Sequence, residues 1–447
     1  MKTLSKTFCI LPWIHRFTNI GGEVQICCTS EEYKTSYITD KNGQRINAAA
    51  GLDDSEILNT AFMKKLRLEM LDGKWPSACE RCRVTEWTGS QSRRQTENKH
   101  FENFIPEALD GTKQNGEIEV KVRSVDYRLG NLCNLACRMC SPRASKKWIT
   151  EWKKMKQVPF SMSVESEKEF LSYDWYKNPE FIENAKKIFS SIKHLHFAGG
   201  EPLLISEMAT LLKACVEGGH SSEIELSYNT NLTSLPKAVI ELWPRFKGVK
   251  ILASIDGCGK LNEYIRHHSK WEIIDRNLEY LETNFDRLKL INVHVMCTVQ
   301  AYNIFDLTKL FSYLSKFKKI DSFPHLIDLH FPVNLRTQVL PPEAKTKISK
   351  ELNDLYENFQ CQLADPKRKF PSHAKATIES IRGIISFMNC DDKSSELVSF
   401  YRATTELDKL RNQSLTSIVP GWQNIFDTFR LRQDIDTSNR DSKLVPV

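Results

Sequence analysis

Three cysteines, Cys133, Cys137 and Cys140, stand in the spacing C-x3-C-x2-C on the stretch Asn131 to Cys140. Three thiolates on one short loop can wrap three irons of a [4Fe–4S] cube, since cysteine thiolates are the usual ligands of such clusters. The fourth iron then has no protein ligand and stays open to a small molecule, unlike a structural site with all four corners filled. Four further thiols lie upstream. Cys9 and Cys27 frame C-x12-G-x4-C around Gly22, and Cys79 and Cys82 form C-x2-C. Four thiolates can hold a second cluster or close a zinc site, and zinc also competes for the first loop. Cys28, next to Cys27, points to the opposite face of a strand and is left out of the set.

Further candidates sit where apolar runs end. Ala198-Gly199-Gly200-Glu201-Pro202 combines two residues without Cβ, which let a backbone come close to a ligand, with a carboxylate that can accept from an ammonium group. Ser227 to Asn231 offers Asn229, Thr230 and Asn231, short polar side chains suited to a carboxylate or hydroxyls. Ala253 to Gly257 carries Ser254 and Asp256. Arg266 follows, a fork that pairs well with a carboxylate. Each also has a plain reading as a cap or turn residue. Thr298, Gln300 and Asn303 are weaker candidates of the same kind. No catalytic residue is assigned.

In this order, the motifs resemble the radical SAM superfamily across residues 9–340. The resemblance implies S-adenosylmethionine on the open iron, its ammonium group held by Gly199, Gly200 and Glu201. It implies that Asn229, Thr230, Asn231, Ser254 and Asp256 face the ribose or carboxylate, and that Arg266 meets the methionine carboxylate. Met139 stands where the family usually has an aromatic residue. The N-terminal cysteines resemble a SPASM/Twitch domain, which implies one auxiliary [4Fe–4S] cluster on Cys9, Cys27, Cys79 and Cys82. Here that unit precedes the barrel, whereas it normally follows. Glu86, Gly89, Ser92, Arg93 and Arg94 look like the Twitch-containing subgroup and are given no chemistry. The implied reaction is reductive cleavage of S-adenosylmethionine to a 5′-deoxyadenosyl radical, which takes a hydrogen atom from a substrate. A peptide or protein side chain is the favoured substrate; a sugar, nucleoside or other small metabolite is the alternative. A low-potential donor such as flavodoxin or ferredoxin is the implied partner. The reading from another class is a non-catalytic, zinc- or cluster-bearing interaction protein.

The elements that must position these residues alternate between strand and helix. Apolar runs at Ser124–Gly130, His194–Ala198, Ile224–Asn229, Val249–Ile255, Ile291–Val299 and Ile327–Val333 read as strands. Helical stretches Pro142–Gln157, Ser206–Glu217, Trp271–Asn284 and Asp306–Lys318 separate several of them. That alternation predicts an α/β fold with parallel strands and outer helices, here a partial (β/α)6 barrel with sites at the strands' C-terminal ends. The expected organisation is a Twitch-like unit over 1–95, a linker over 96–117, the barrel over 118–340 and a helical segment over 341–447. In the first unit Ile14–Cys28 reads as a hairpin, and Ser55 is expected to cap a helix running to Leu71. In the last, helices are expected over 343–363, 373–389, 393–412 and 422–432.

The 447 residues suffice for two to three domains, and 63 basic against 56 acidic residues give a mild net charge of +7. That balance permits an acidic partner without demanding one. Nucleic acid is not expected, because the lysines around Trp148 and Trp152 read as the wet face of an amphipathic helix. No run reaches the length of a membrane span, and the first residues lack the apolar core of a signal peptide. A cytoplasmic location is therefore expected, where thirteen cysteines serve as ligands or buried thiols rather than disulfides. Cys215 and Cys390 read as core, whereas Cys258 and Cys297, near strand ends, are candidates to face the barrel lumen.

Overall fold

The computed structural model describes residues 4–30, 34–50, 53–87, 91–156, 164–364 and 374–428. Gly89, Gln157, Pro371 to His373 at the edge of an expected helix, and residues 429–432 lie outside the described residues.

Period-two alternation builds the sheet that carries the site. Two short strands come first, β1 (His15–Thr18) and β2 (Val24–Gln25), antiparallel as the hairpin reading requires. Six more follow: β3 (Ser124–Leu129), β4 (His194–Gly199), β5 (Glu225–Thr230), β6 (Gly248–Ser254), β7 (Leu290–Val299) and β8 (His325–Asp328). The order is β8-β7-β6-β5-β4-β3-β1-β2, and β1 and β3 to β8 are all parallel. Alternate residues face outward into a helix-covered aromatic layer, where Tyr127, Phe197, Tyr228 and Trp243 are buried in one cluster. The intervening residues face inward and are mostly polar.

One feature was not foreseen from the pattern. β1 joins the barrel sheet beside β3, with His15 opposite Ser124 and Phe17 opposite Asp126. The N-terminal cysteine unit is thus continuous with the barrel strands through backbone hydrogen bonds. The segment expected as a linker is largely helical, with α1 (Arg93–His100) and a short helix Ile105–Asp110. Phe101 between them is buried against His100 and His194.

Other boundaries move for local reasons. The helix expected from Ser55 to Leu71 is two, Asp54–Leu58 and Ala61–Leu71, capped by Asp53 and Thr60. Threonine inside that run competes for backbone N–H groups and so starts a new helix. The stretch Pro142–Gln157 forms only a short helix, α2 (Trp148–Trp152). The residues before it wrap under the cysteine loop: Ser145 Oγ donates to Leu135 O (2.6 Å) and Lys146 N–H to Asn131 O (3.0 Å). The helix expected at Asp306–Lys318 spans Leu307–Leu314, and the last strand stops at Asp328 rather than Val333. Pro332 in that run has no N–H to give to a ladder. Helices Pro342–Leu363, Ala374–Cys390 and α3 (Leu397–Arg411) follow.

Candidate active site

The cysteine loop follows β3 and is pinned to the end of β4 by backbone bonds. Gly200 N–H donates to Gly130 O (2.9 Å) and Glu201 N–H to Leu132 O (2.8 Å). A Cβ on Gly200 would lie 2.2 Å from Leu132 O, and Gly199 has φ +120°. The two glycines therefore serve first to bring the strand end against the loop, a tighter demand than approach to a ligand alone. Cys137 also joins a two-residue antiparallel ladder, Ala136–Cys137 with Arg266–His267, which sets Arg266 opposite Cys137. Trp148 Nε1–H donates to Cys137 O (2.8 Å) and Leu135 N–H to Cys133 Sγ (3.4 Å).

The electrostatics favour ionisation at one of the three sulfurs. All three thiols are free and half-buried or buried. The hydrogen bond with Cys140 holds the Cys137 thiol below its ordinary range, aided by Arg266 and Arg411 against burial. The same bond, with burial, pushes Cys140 well up, and burial pushes Cys133 up to about 12. Cys137 is thus the thiol readiest to ionise, and two guanidinium groups stand by to offset negative charge.

Glu201 is buried and accepts from Thr230 Oγ1 (2.8 Å), Asn231 N–H (2.7 Å) and Leu203 N–H (3.2 Å). Burial pushes its pKa up to about 7 despite these donors. Asn231 Nδ2 donates to Asn134 Oδ1 (3.0 Å), tying β5's end to the cysteine loop. Arg266 Nε lies 2.8 Å from Asp256 Oδ2 in a buried ion pair. Neither atom has an aligned hydrogen bond among the described residues, so the contact is close but not a fork. Asp256 also accepts from Thr298 N–H (2.8 Å), and Asn303 Nδ2 donates to Asp256 O (2.9 Å). Its carboxylate is directed at Arg266, which it positions. Ser254 is half-buried at the end of β6, and Asn229 stands on β5 with its Oδ1 buried and without a hydrogen bond among the described residues. The structure therefore brings the sequence candidates Glu201, Thr230, Asn231, Asp256 and Arg266 together around the cysteine loop.

Helix α3 of the C-terminal segment completes this end with residues that the sequence did not single out. From α3, Arg411 Nη2 donates to Ala136 O (2.8 Å) and pairs with Glu151, while Asp408 takes Arg138 and Tyr264. Glu151, His267 and His268 have ligand atoms within 4.8 Å of one another, but Arg411 occupies both Glu151 oxygens. That trio reads as part of the clamp.

The second cysteine set converges from three segments. Cys9, Cys27, Cys79 and Cys82 line one small enclosed cleft with Arg81, Arg93 and Arg94. Burial is the first cause that pushes Cys9, Cys27 and Cys79 up, and neighbouring thiols of the set add to it in each case. Cys9 and Cys82 are buried and Cys27 and Cys79 half-buried, and four thiolates so placed could together hold a cation. Glu86 accepts from Ser92 and from both Arg94 Nε and Nη2 (2.8 and 2.7 Å), which fixes the turn after Cys82.

Three expectations on thiols are corrected: Cys390, read as core, is exposed at the end of helix Ala374–Cys390, while Cys215 is buried as expected. Cys297 alternates with the inward Met296, is fully buried and takes a contact from Asn303 Nδ2, so it faces the outer layer. Cys258 sits beside Lys309 O. The thiol on the lumen is Cys28, which lines a cavity of about 600 Å3 between the strands and α1.

Residues 127–310 match the Radical SAM superfamily. The matched radical SAM stretch runs from β3 to the helix after β7 and contains both the Cys133–Cys140 loop and Arg266, and it marks the chain as an enzyme. No curated protein matches the sequence. Among solved structures, anSMEcpe with bound AdoMet and the Kp18Cys peptide is 17% identical, with a TM-score of 0.34, over 54% of this chain and 61% of its own. Streptococcus suis SuiB bound to S-adenosylmethionine is 14% identical, with a TM-score of 0.32, over 72% of this chain and 65% of its own. The chain thus spans under two thirds of the length of either.

Proposed function

We propose that this protein is a radical SAM enzyme with two iron–sulfur sites that acts on a polypeptide side chain. The observation that carries the reading is the convergence of Cys133, Cys137 and Cys140 with Glu201 and Arg266 at one end of the sheet, inside the residues that match the superfamily. Cys133, Cys137 and Cys140 would hold a [4Fe–4S] cluster, leaving one iron for S-adenosylmethionine. The bound pair supplies one-electron cleavage of the sulfonium and, through it, hydrogen-atom abstraction from an unactivated C–H bond.

The chain's own residues bind, orient and exclude water. Glu201 accepts the cofactor's ammonium group, held in place by Thr230 and Asn231, and an adjacent cation restores its carboxylate form. Arg266, braced by Asp256, turns its unaligned Nε to the methionine carboxylate. Asn229 and Ser254 offer polar contacts to the ribose. Loop, strand ends and α3 close over this pocket and keep water from it.

Cys9, Cys27, Cys79 and Cys82 would hold the auxiliary [4Fe–4S] cluster, within a Twitch-like unit over 1–95, with 96–117 joining it to a barrel over 118–340 and a helical segment over 341–447. The resemblance of that unit to SPASM/Twitch domains is the support for a polypeptide substrate. The same reading includes a flavodoxin or ferredoxin as electron donor and the cytoplasm as location. No helix among the described residues is long and apolar enough to cross a membrane.

Anaerobic reconstitution tests the whole. About eight irons per chain are expected, four for each cluster. 5′-Deoxyadenosine should form slowly from S-adenosylmethionine under a strong reductant. Cluster-loaded protein that yields none would refute the enzyme reading. About four irons with one zinc would refute the auxiliary cluster.

A further inference from the structure

The inward faces of the strands hold an arrangement that the cofactor pocket does not use. Across one register row lie Asp126, His196, Ser227 and Lys250 on β3, β4, β5 and β6. A barrel interior is ordinarily filled with branched apolar side chains. Here the 600 Å3 cavity is walled by polar groups, with Leu252, Met296 and Ile327 as its apolar members. It adjoins both sites. Asn229 in its wall precedes Thr230 of the cofactor pocket, and Arg81 and Arg93 line it together with the four-cysteine cleft.

Cations outnumber acids on the cavity surface. Among the described residues, Arg81, Arg93, Arg128 and Lys250 line the cavity with one lining carboxylate, Glu97. The other two acids sit behind the cations they brace: Asp126 lies 3.6 Å from Arg128 Nε, and Glu225 pairs with Lys250. Arg93 pairs with Glu97 through Nη2 (3.2 Å), yet its buried Nε has no hydrogen-bond partner among the described residues. Burial holds His196 down to about 4, with Arg128 and Arg93 adding to the shift against Asp126. Burial likewise holds His194 well below its ordinary value, with His196, His100 and Lys250 adding to it. Neutral imidazoles joined through Ser227 Oγ (2.6 Å to His196 Nδ1, 3.1 Å to His194 Nε2) complete a donor-rich floor. Such a wall, with its cations held from behind and a buried guanidinium nitrogen unused, suits a planar anion.

We propose that this lumen is the substrate site and that it selects its substrate by a carboxylate, an aspartyl or glutamyl side chain of the polypeptide. The inference rests on the polypeptide reading above and adds the class of side chain. Arg93 and Lys250 supply the charge that meets the carboxylate. The apolar side at Leu252, Met296 and Ile327 receives the methylene carbons.

Equilibrium dialysis on the reconstituted holoenzyme with S-adenosylmethionine tests it, using acetyl-glutamate amide, the neutral acetyl-glutamine amide and inorganic phosphate as probes. The glutamate probe should bind at least about tenfold tighter than its amide, the scale of one charge-assisted contact. That preference should shrink with added salt. Arg93→Gln and Lys250→Met should each weaken the glutamate probe by about tenfold while leaving the glutamine probe where it was. Equal binding of the two amides by the wild type overturns the proposal without recourse to any variant, and so does phosphate binding more tightly than the carboxylate. S-Adenosylmethionine binding is measured in the same cells. Its presence without carboxylate selection removes this inference alone, whereas its absence removes the enzyme reading beneath it.

Discussion

The two cysteine sites are built in opposite ways. Cys133, Cys137 and Cys140 belong to one loop, and their surroundings come to them from strand ends and from α3. Cys9, Cys27, Cys79 and Cys82 come from three separate segments and meet only because those segments pack together. At the first site the hydrogen bond with Cys140 and two guanidinium groups hold the Cys137 thiol below its ordinary range. At the second, burial and mutual repulsion oppose ionisation of Cys9, Cys27 and Cys79. A loop of three thiols can thus leave a corner open and be tuned by its neighbours, whereas a convergent set of four has the donors to fill every corner.

The comparison is broken most completely by removing the first set. Cys133→Ala with Cys137→Ala and Cys140→Ala should abolish 5′-deoxyadenosine formation and leave about four irons. Cys79→Ala should also cost about four irons, but 5′-deoxyadenosine should still form while product from the true substrate falls. Loss of cleavage in that variant, with the first cluster present by iron content and spectrum, would end the separation of tasks.

Smaller effects sharpen the cofactor side. Glu201→Ala should weaken S-adenosylmethionine binding by about ten- to hundredfold with both clusters retained, because a charge-assisted contact contributes roughly 1.5–3 kcal/mol. A binding isotherm on the variant checks this. The pH dependence should be smaller still. Glu201 titrates near 7 in the empty pocket, and its carboxylate is the form that accepts an ammonium group. Affinity should therefore rise with pH, about tenfold weaker at pH 6 than at the plateau, the change expected for a single group with that pKa. The linked stability runs the other way. A carboxyl raised on folding stabilises the fold fully below its ordinary value of 4.5, and that contribution is lost as the pH rises through about 7. Flat affinity between pH 6 and 7.5 would show that Glu201 does not meet the ammonium group.

Much of this was legible in the chain. Spacing within a loop is a sequence property, so C-x3-C-x2-C marked the first site. Period-two alternation likewise fixed five of the six core strands to within a residue or two. Glu201 and Arg266 were legible because each follows directly on a recognisable element. The inward polar row was written in the sequence too, as Ser124-x-Asp126-x-Arg128 and His194-x-His196, a period-two signal that marks one face of a strand. Other features depend on which distant segments meet, and periodicity within an element carries no information about that. Only the tertiary structure placed β1 beside β3, turned Cys297 outward and Cys28 inward, and brought Arg411 onto Ala136 O. The direction of the Asp256 carboxylate was decided there as well. Buried ions must find partners, and Arg266, ten residues on, reached it by way of a two-residue ladder with the cysteine loop.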